Sequence, residues 1–237
     1  MLNRTKRETT MRNIINDIYL DKDLSPILGF KGGTACYFFY KLPRFSTDLD
    51  FNLLNLNKTK IVWQKMFNIL KEHGEVTDKH IKQNTIFFLL SHTKGRTAIK
   101  IEISTRKIEE ISSYNLEEFY GTSILVMKKE DIFANKLIAL TKRYEATPRD
   151  LFDIHFFFKN NWDINEKIIK KVTGEGLLNY LSKLLKTINK NFKGKNILTG
   201  FGELLENRSQ KDFVKRKLAN ETINQIKFYI DSKERKI

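Results

Sequence analysis

The chain is poor in cysteine, in proline and in long apolar stretches, and each shortage excludes a class of protein. Cys36 is the only cysteine among 237 residues, so no disulfide framework holds the fold and a reducing compartment is expected. The three prolines, Pro26, Pro43 and Pro148, all lie in the first 148 residues, which leaves no proline-rich linker. Fully apolar runs such as Ile86–Leu90 are far shorter than the ~20 residues a helix needs to cross a bilayer. The opening MLNRTKRETTMRN is polar and basic, without the apolar stretch of a secretion signal. A soluble cytoplasmic protein with no membrane partner is therefore expected. With 41% hydrophobic and 30% charged residues, the balance is that of a globular chain, not a disordered one.

Acids are scarce too. The chain carries 28 Asp and Glu against 43 Lys and Arg, a net +15, and such an excess attracts polyanions, nucleic acid above all. The distribution is uneven: residues 159–237 carry a net +9 and the first 158 only +6. Between 181 and 202 there are five lysines and no acid. Lys183, Lys186, Lys190 and Lys193 recur at helical spacing beside an apolar stripe of Leu181, Leu184, Leu185, Ile188 and Phe192, so one helix presents a row of ammonium groups. That row reads either as an RNA-binding face or as an ordinary solvated one.

Periodicity gives a coarse organisation. The stretch to about Leu20 looks helical. NTIFFLLS (84–91) reads as a buried strand, and TAIKIEIS (97–104) alternates, with Ile99, Ile101 and Ile103 on one face and Lys100, Glu102 and Ser104 on the other. From about Lys128 the pattern is helical. The fold class expected is α/β (α+β), with a mixed-sheet domain followed by a helical one. The boundaries expected are an N-terminal helix over 1–24, the α/β domain over 25–122 and a basic helical domain over 123–237.

The chemistry concentrates in KGGTACYFFYKLPRFSTDLDFNLL (31–54). Gly32 and Gly33 let a backbone approach a phosphate closely, and the N–H groups at the opening of the helix-like run after them point at an anion. Asp48 and Asp50, at i and i+2 on a strand, project from one face and suit hard cations such as Mg²⁺. Two such cations can clamp the attacking and leaving oxygens of a nucleotidyl transfer. Should the 97–104 strand lie near them, Glu102 supplies a third carboxylate; otherwise it is a surface acid beside Lys100.

Gly-Gly-Thr-Ala followed by Arg-Phe-Ser-x-Asp-Leu-Asp-Phe, here Lys31 to Ala35 and Arg44 to Phe51, resembles the AbiEii/AbiGii toxin family of the nucleotidyltransferase superfamily. Three further blocks carry the likeness: Lys100 to Arg106, Asp131 to Leu140 with its Lys136, and Arg149 to Ile154 with Asp150 and Asp153. The resemblance implies a nucleoside triphosphate substrate, Mg²⁺ as cofactor, and a cognate antitoxin as partner in an abortive-infection type of toxin–antitoxin system. It implies a catalytic set of Asp48, Asp50, Lys136 and Asp153, metal on Asp48, Asp50 and Glu102, and nucleotide contacts from Lys31, Gly32, Gly33, Thr34, Arg44 and Ser46. With the basic C-terminal region it points to tRNA, at its 3′ end, as acceptor, so that translation and growth stop. Transfer of AMP to a protein hydroxyl and a non-catalytic RNA-binding module are the alternative readings. A phosphate on Ser46, two residues before Asp48, is expected to repel the triphosphate.

Two charged residues sit oddly. Lys136 falls between Ile132, Phe133 and Leu140 on a helical wheel, and Asp153 lies within LFDIHFFF, a helix apolar nearly all round. A charge at either place needs a partner. A buried Lys136–Asp153 pair and a shared place in the nucleotide site both meet that need, and the resemblance assigns the pair to the active site. Thr147-Pro-Arg-Asp150 reads as a helix start, which gives Asp150 a capping role. Arg149 and His155 have the Arg-x5-His spacing of HEPN-type ribonucleases, against which His155 is expected to pack among the phenylalanines. His73, His80 and His92 show no metal-ligand spacing, and no P-loop signature is present.

Overall fold

The computed structural model describes residues 4–91, 98–107, 112–143, 147–199 and 201–235. It divides into two compact units, one of Met1–Lys41 with Phe45–Lys128, the other of Leu42–Arg44 with Lys129–Ile237. The boundary expected at 122/123 falls at the start of a strand of the first unit's sheet.

The first unit contains helices α1 (Arg4–Leu20), α2 (Gly32–Phe39) and α3 (Thr59–His73) and strands β1 (Leu28–Lys31), β2 (Asp48–Leu53), β3 (Glu75–Lys82), β4 (Thr85–Ser91), β5 (Ala98–Ser104), β6 (Tyr114–Phe119) and β7 (Thr122–Met127). The strands form one sheet in the order β3-β4-β5-β2-β1-β7-β6. β2 runs parallel to β5 and antiparallel to β1. α1 buries Met11, Ile14, Ile15 and Ile18, and α3 buries Val62, Met66 and Leu70, each at i, i+3 or i+4 spacing. Leu49, Phe51, Ile86, Phe88, Ile99, Ile101 and Ile103 are buried on alternate positions of their strands, and Trp63 of α3 stacks on Phe88 at 4.9 Å. One face of the sheet is thus core. His92 lies outside the described residues.

The buried strand expected at 84–91 is present as β4, enclosed on one face and half-buried on the other. Ile86, Phe88 and Leu90 are enclosed, while Phe87 and Leu89 are only half-buried. An unbroken apolar run hides the two-residue period, so sequence alone cannot tell a strand enclosed on one face from one enclosed on both.

The second unit contains α4 (Lys129–Lys142), α5 (Pro148–Lys159), α6 (Glu166–Thr173), α7 (Leu177–Asn191), α8 (Arg208–Arg216) and α9 (Leu218–Glu234). Its core is built from Phe133, Leu137, Leu151, Ile154, Phe157, Leu181, Leu184, Ile188, Phe201, Leu218 and Ile226, all buried. The segment Leu42–Arg44 groups with these helices, and Gln210 of α8 donates to the Pro43 carbonyl at 2.9 Å. Among the described residues no helix is long and apolar enough to cross a membrane.

Candidate active site

The first unit gathers charge on the sheet face opposite its core. Side chains of directly paired residues share a face. Lys31 pairs with Asp50, and on the next strand Asp50 pairs with Glu102 and Asp48 with Lys100. Four of these groups stand on two adjacent parallel strands. The Lys100 ammonium lies 3.0 Å from the Glu102 carboxylate and 3.7 Å from that of Asp48, with side chains 36%, 39% and 24% exposed respectively.

Gly32 ties α2 to this face. Its φ is +81°, a conformation that glycine adopts without penalty, and a Cβ there would lie 2.4 Å from Asp50 Oδ2. Only a residue without a side chain lets the opening turn of α2 approach that carboxylate. Gly33 and Thr34 follow and are buried. The Thr34 hydroxyl, fully enclosed, donates to the Asp48 carbonyl and can accept from the Ser46 hydroxyl 2.9 Å away. Thr34 and Ser46 therefore tie the start of α2 to the start of β2. Both hydroxyls, expected in nucleotide contact, are engaged within the protein, and Ser46 is buried.

The electrostatics of the face are unbalanced. Burial first, and then the charge of Asp48, push the Asp50 carboxyl above its ordinary pKa; Lys100 and Lys31 only partly offset this. Burial opposes the charge of Lys100, but Asp48, Glu102 and Asp50 hold its pKa above the usual value. Arg7 of α1, buried, donates to the Ala98 carbonyl, and the charge of Asp48 counters the desolvation of its guanidinium. Sequence reading missed Arg7, since nothing local links α1 to β2 or β5.

Carboxylate oxygens are the donors a hard divalent cation selects, and Asp48, Asp50 and Glu102 fit that requirement in kind. They do not form a ready cage: among the described residues no three His, Cys, Asp or Glu side chains converge closely enough to hold a metal. The Lys100 ammonium lies against two of the three acids.

The second unit holds a different ionic group. Arg44 forks onto Asp153, Nε to Oδ1 at 2.6 Å and Nη2 to Oδ2 at 2.7 Å. Lys136 lies 2.8 Å from Asp153 and 2.7 Å from Asp150, and Arg143 donates to Asp150 at 2.6 Å. Arg44 and Asp153 are 3% and 0% exposed. Both oxygens of Asp153 are occupied by protein cations, so Arg44 and Asp153 form a buried ionic tie. A bidentate guanidinium is a strong partner for a buried carboxylate, and Asp153 also holds Lys136, one of the parts expected of it. Burial opposes charge on Asp150, yet Lys136 and Arg143 pull its pKa down to about 2. Burial likewise opposes the charge of Lys136, but Asp150 and Asp153 hold it firmly protonated.

Thr147 caps α5: its hydroxyl oxygen accepts the Asp150 N–H at 3.3 Å, and Pro148 begins the helix. Asp150 thus has the capping geometry and an ionic role that the sequence did not reveal. His155 is buried against Phe213, ring centroids 5.0 Å apart, and its Nε2 faces Glu221 at 3.3 Å. Lys183, Lys186, Lys190 and Lys193 are all exposed, and Lys183 pairs with Glu175 at 2.7 Å. Beyond α7 a cavity of about 320 Å³ is lined by Lys195, Lys215, Arg216 and Asn220.

The solved structures similar to this chain share its fold. A candidate nucleotidyltransferase from H. pylori superposes with a TM-score of 0.63 at 22% identity, covering 100% of this chain and 99% of that one. JHP933 from Helicobacter pylori gives 0.53 at 20%, covering 99% and 97%. An antigenic nucleotidyltransferase-like protein from Paracoccidioides brasiliensis gives 0.50 at 12%, covering 86% and 97%. No curated protein matches the sequence. Residues 17–197 match the family described as nucleotidyl transferase AbiEii toxin, type IV TA system, a span that holds the Gly-Gly turn, both aspartates of β2, Glu102 and the ionic group of the second unit. On that match over most of its length, the chain belongs to the AbiEii nucleotidyltransferase toxin family.

Proposed function

We propose that the face bearing Asp48, Asp50 and Glu102 transfers a nucleoside monophosphate from a triphosphate to an acceptor hydroxyl, most readily the 3′ end of tRNA, so that the protein halts translation as the toxin of a pair with a cognate antitoxin. The observation that carries this reading is the Asp50 carboxylate lodged against the opening turn of α2, where a Cβ on Gly32 has no room. Acid and bare backbone thereby adjoin on one face of the sheet, the carboxylate for a cation and the N–H groups for a phosphate.

Asp48 and Asp50, with Glu102 beside them, would hold Mg²⁺, which when bound supplies Lewis-acid stabilisation of charge on the transferring phosphoryl group. The N–H groups at the opening of α2, aided by the helix dipole, hold the β- and γ-phosphates, with Lys31 alongside. The acceptor oxygen bonds to the α-phosphorus as the bond to pyrophosphate breaks, and the hydroxyl proton leaves to a carboxylate of the cluster. Positioning and fixed charge provide most of the acceleration. In the second unit, the exposed lysines of α7 and the basic cavity beyond them supply the phosphate contacts of an RNA acceptor.

Incubation with labelled triphosphates, Mg²⁺ and total tRNA should label RNA, and Asp48→Ala or Asp50→Ala should reduce the rate by at least about a thousandfold. Equal labelling by wild type and either variant rejects the assignment.

A further inference from the structure

One transverse row of the first unit's sheet runs through five strands. Lys31 of β1 pairs with Asp50, Asp50 with Glu102, Glu102 with Phe87, and Phe87 with His80 of β3. All five side chains therefore stand on the face that carries the acids, opposite the core. The last two are stacked, with ring centroids 4.6 Å apart and planes within 12°. His80 is steadied by Asp78, 3.4 Å from its Nδ1. Neither ring is buried, in contrast to Phe88, which fills the core behind them against Trp63. Packing of the core gives no reason for a half-open aromatic pair beside a row of charges. Lys82, exposed and two residues along β3 from His80, stands on the same face.

We propose that Phe87 and His80 form a stacking platform for the terminal base of a nucleic-acid acceptor strand, with Lys82 placed for its backbone phosphate. The proposal rests on the nucleotidyl-transfer reading above and names the side from which the acceptor enters. If the triphosphate tail lies at the Lys31–Gly32 end of the row, pyrophosphate departs toward β1. In-line displacement then brings the attacking hydroxyl from the opposite side, which is the Glu102–Phe87 end. Strand spacing sets Phe87 about 10 Å from Asp50, two strands away, the length of one nucleoside. A flat aromatic slab with a lysine beside it is the recognition chemistry of single-stranded nucleic acid, tolerant of sequence because every base has a π face.

Initial rates with RNA and triphosphate varied separately test this, together with quenching of a short single-stranded RNA that ends in 2-aminopurine. Phe87→Ala should raise KM for RNA by about ten- to hundredfold, the range of one base–aromatic stack, and leave KM for the triphosphate within about twofold. Phe87→Trp should restore it, and the quench seen with wild type should be lost in Phe87→Ala and kept in Phe87→Trp. His80→Ala should give a smaller rise. An unchanged RNA KM and quench in Phe87→Ala, alongside an Asp50→Ala variant that labels nothing, overturns the platform and leaves the transferase reading standing. A change confined to the triphosphate KM assigns the rings to the donor base and overturns it as well, as does labelling of protein but not RNA by wild type. Undiminished labelling by Asp50→Ala removes the transferase reading itself.

Discussion

Two groups of carboxylates in this chain meet opposite fates. In the second unit, Asp150 and Asp153 lie among Lys136, Arg143 and Arg44, with ion pairs of 2.6–2.8 Å, and Asp150 is held ionised down to about pH 2. On the sheet of the first unit, Glu102 and Asp48 share Lys100 at 3.0 and 3.7 Å, and the Asp50 carboxyl is pushed upward, toward its neutral form. Acids that the protein neutralises itself serve the fold. The acids of the first unit's sheet disfavour one another's charge more than Lys100 and Lys31 offset, since the Asp50 carboxyl stays above its ordinary pKa.

The sharpest way to break this contrast is to remove one acid from each group. Asp153→Ala removes the bidentate partner of buried Arg44 and leaves Lys136 to Asp150, and loss of one partner from a buried pair costs about 3–5 kcal/mol. Urea unfolding should show that loss. Asp50→Asn relieves repulsion at a carboxyl that burial already disfavours, so it should leave unfolding free energy unchanged or slightly higher while abolishing transfer. Equal destabilisation by the two variants ends the distinction between structural and chemical acids.

A smaller effect follows from pH. An Asp whose pKa falls from 3.8 to about 2 on folding contributes roughly 2 kcal/mol. The depressed value fixes the sign: the contribution is whole above about pH 4 and disappears as pH falls through 2. The difference in unfolding free energy between wild type and Asp150→Asn should accordingly shrink from neutral pH to pH 2. A difference that stays constant over that range contradicts the pairing with Lys136 and Arg143.

What the sequence revealed and what it hid divide along a physical line. The Gly-Gly turn, the Asp-x-Asp strand, the alternation of 98–104 and the helix of residues 4–20 are local patterns, and each lies in the structure at its expected place. Lys136 and Asp153 announced on the helical wheel that they need a counter-charge, and they lie 2.8 Å from each other. Arg44, 109 residues before Asp153, carries no local signal of that pairing. The β6–β7 hairpin went unread because its turn, Tyr120-Gly121, has φ values of +51° and +82°, and tyrosine is not among the residues that mark such a turn. Phe87 was hidden by its apolar neighbours, whose run resembles a strand enclosed on both sides.

The least effect concerns the place where cap and ion pair meet. The Thr147 hydroxyl accepts the Asp150 N–H at 3.3 Å and donates to the Asp150 carboxylate at 2.9 Å, so one side chain both opens α5 and steadies an acid of the paired group. Thr147→Ala should lower stability by about 1 kcal/mol, as loss of an N-cap does, and should raise the pKa of Asp150 because a donor to its charged form is gone. Thr147→Ser keeps the oxygen and should keep both properties. If the alanine variant unfolds at the same urea concentration as wild type and its acid transition does not move, Asp150 owes its ionised state to Lys136 and Arg143 alone, and the cap is incidental to the network.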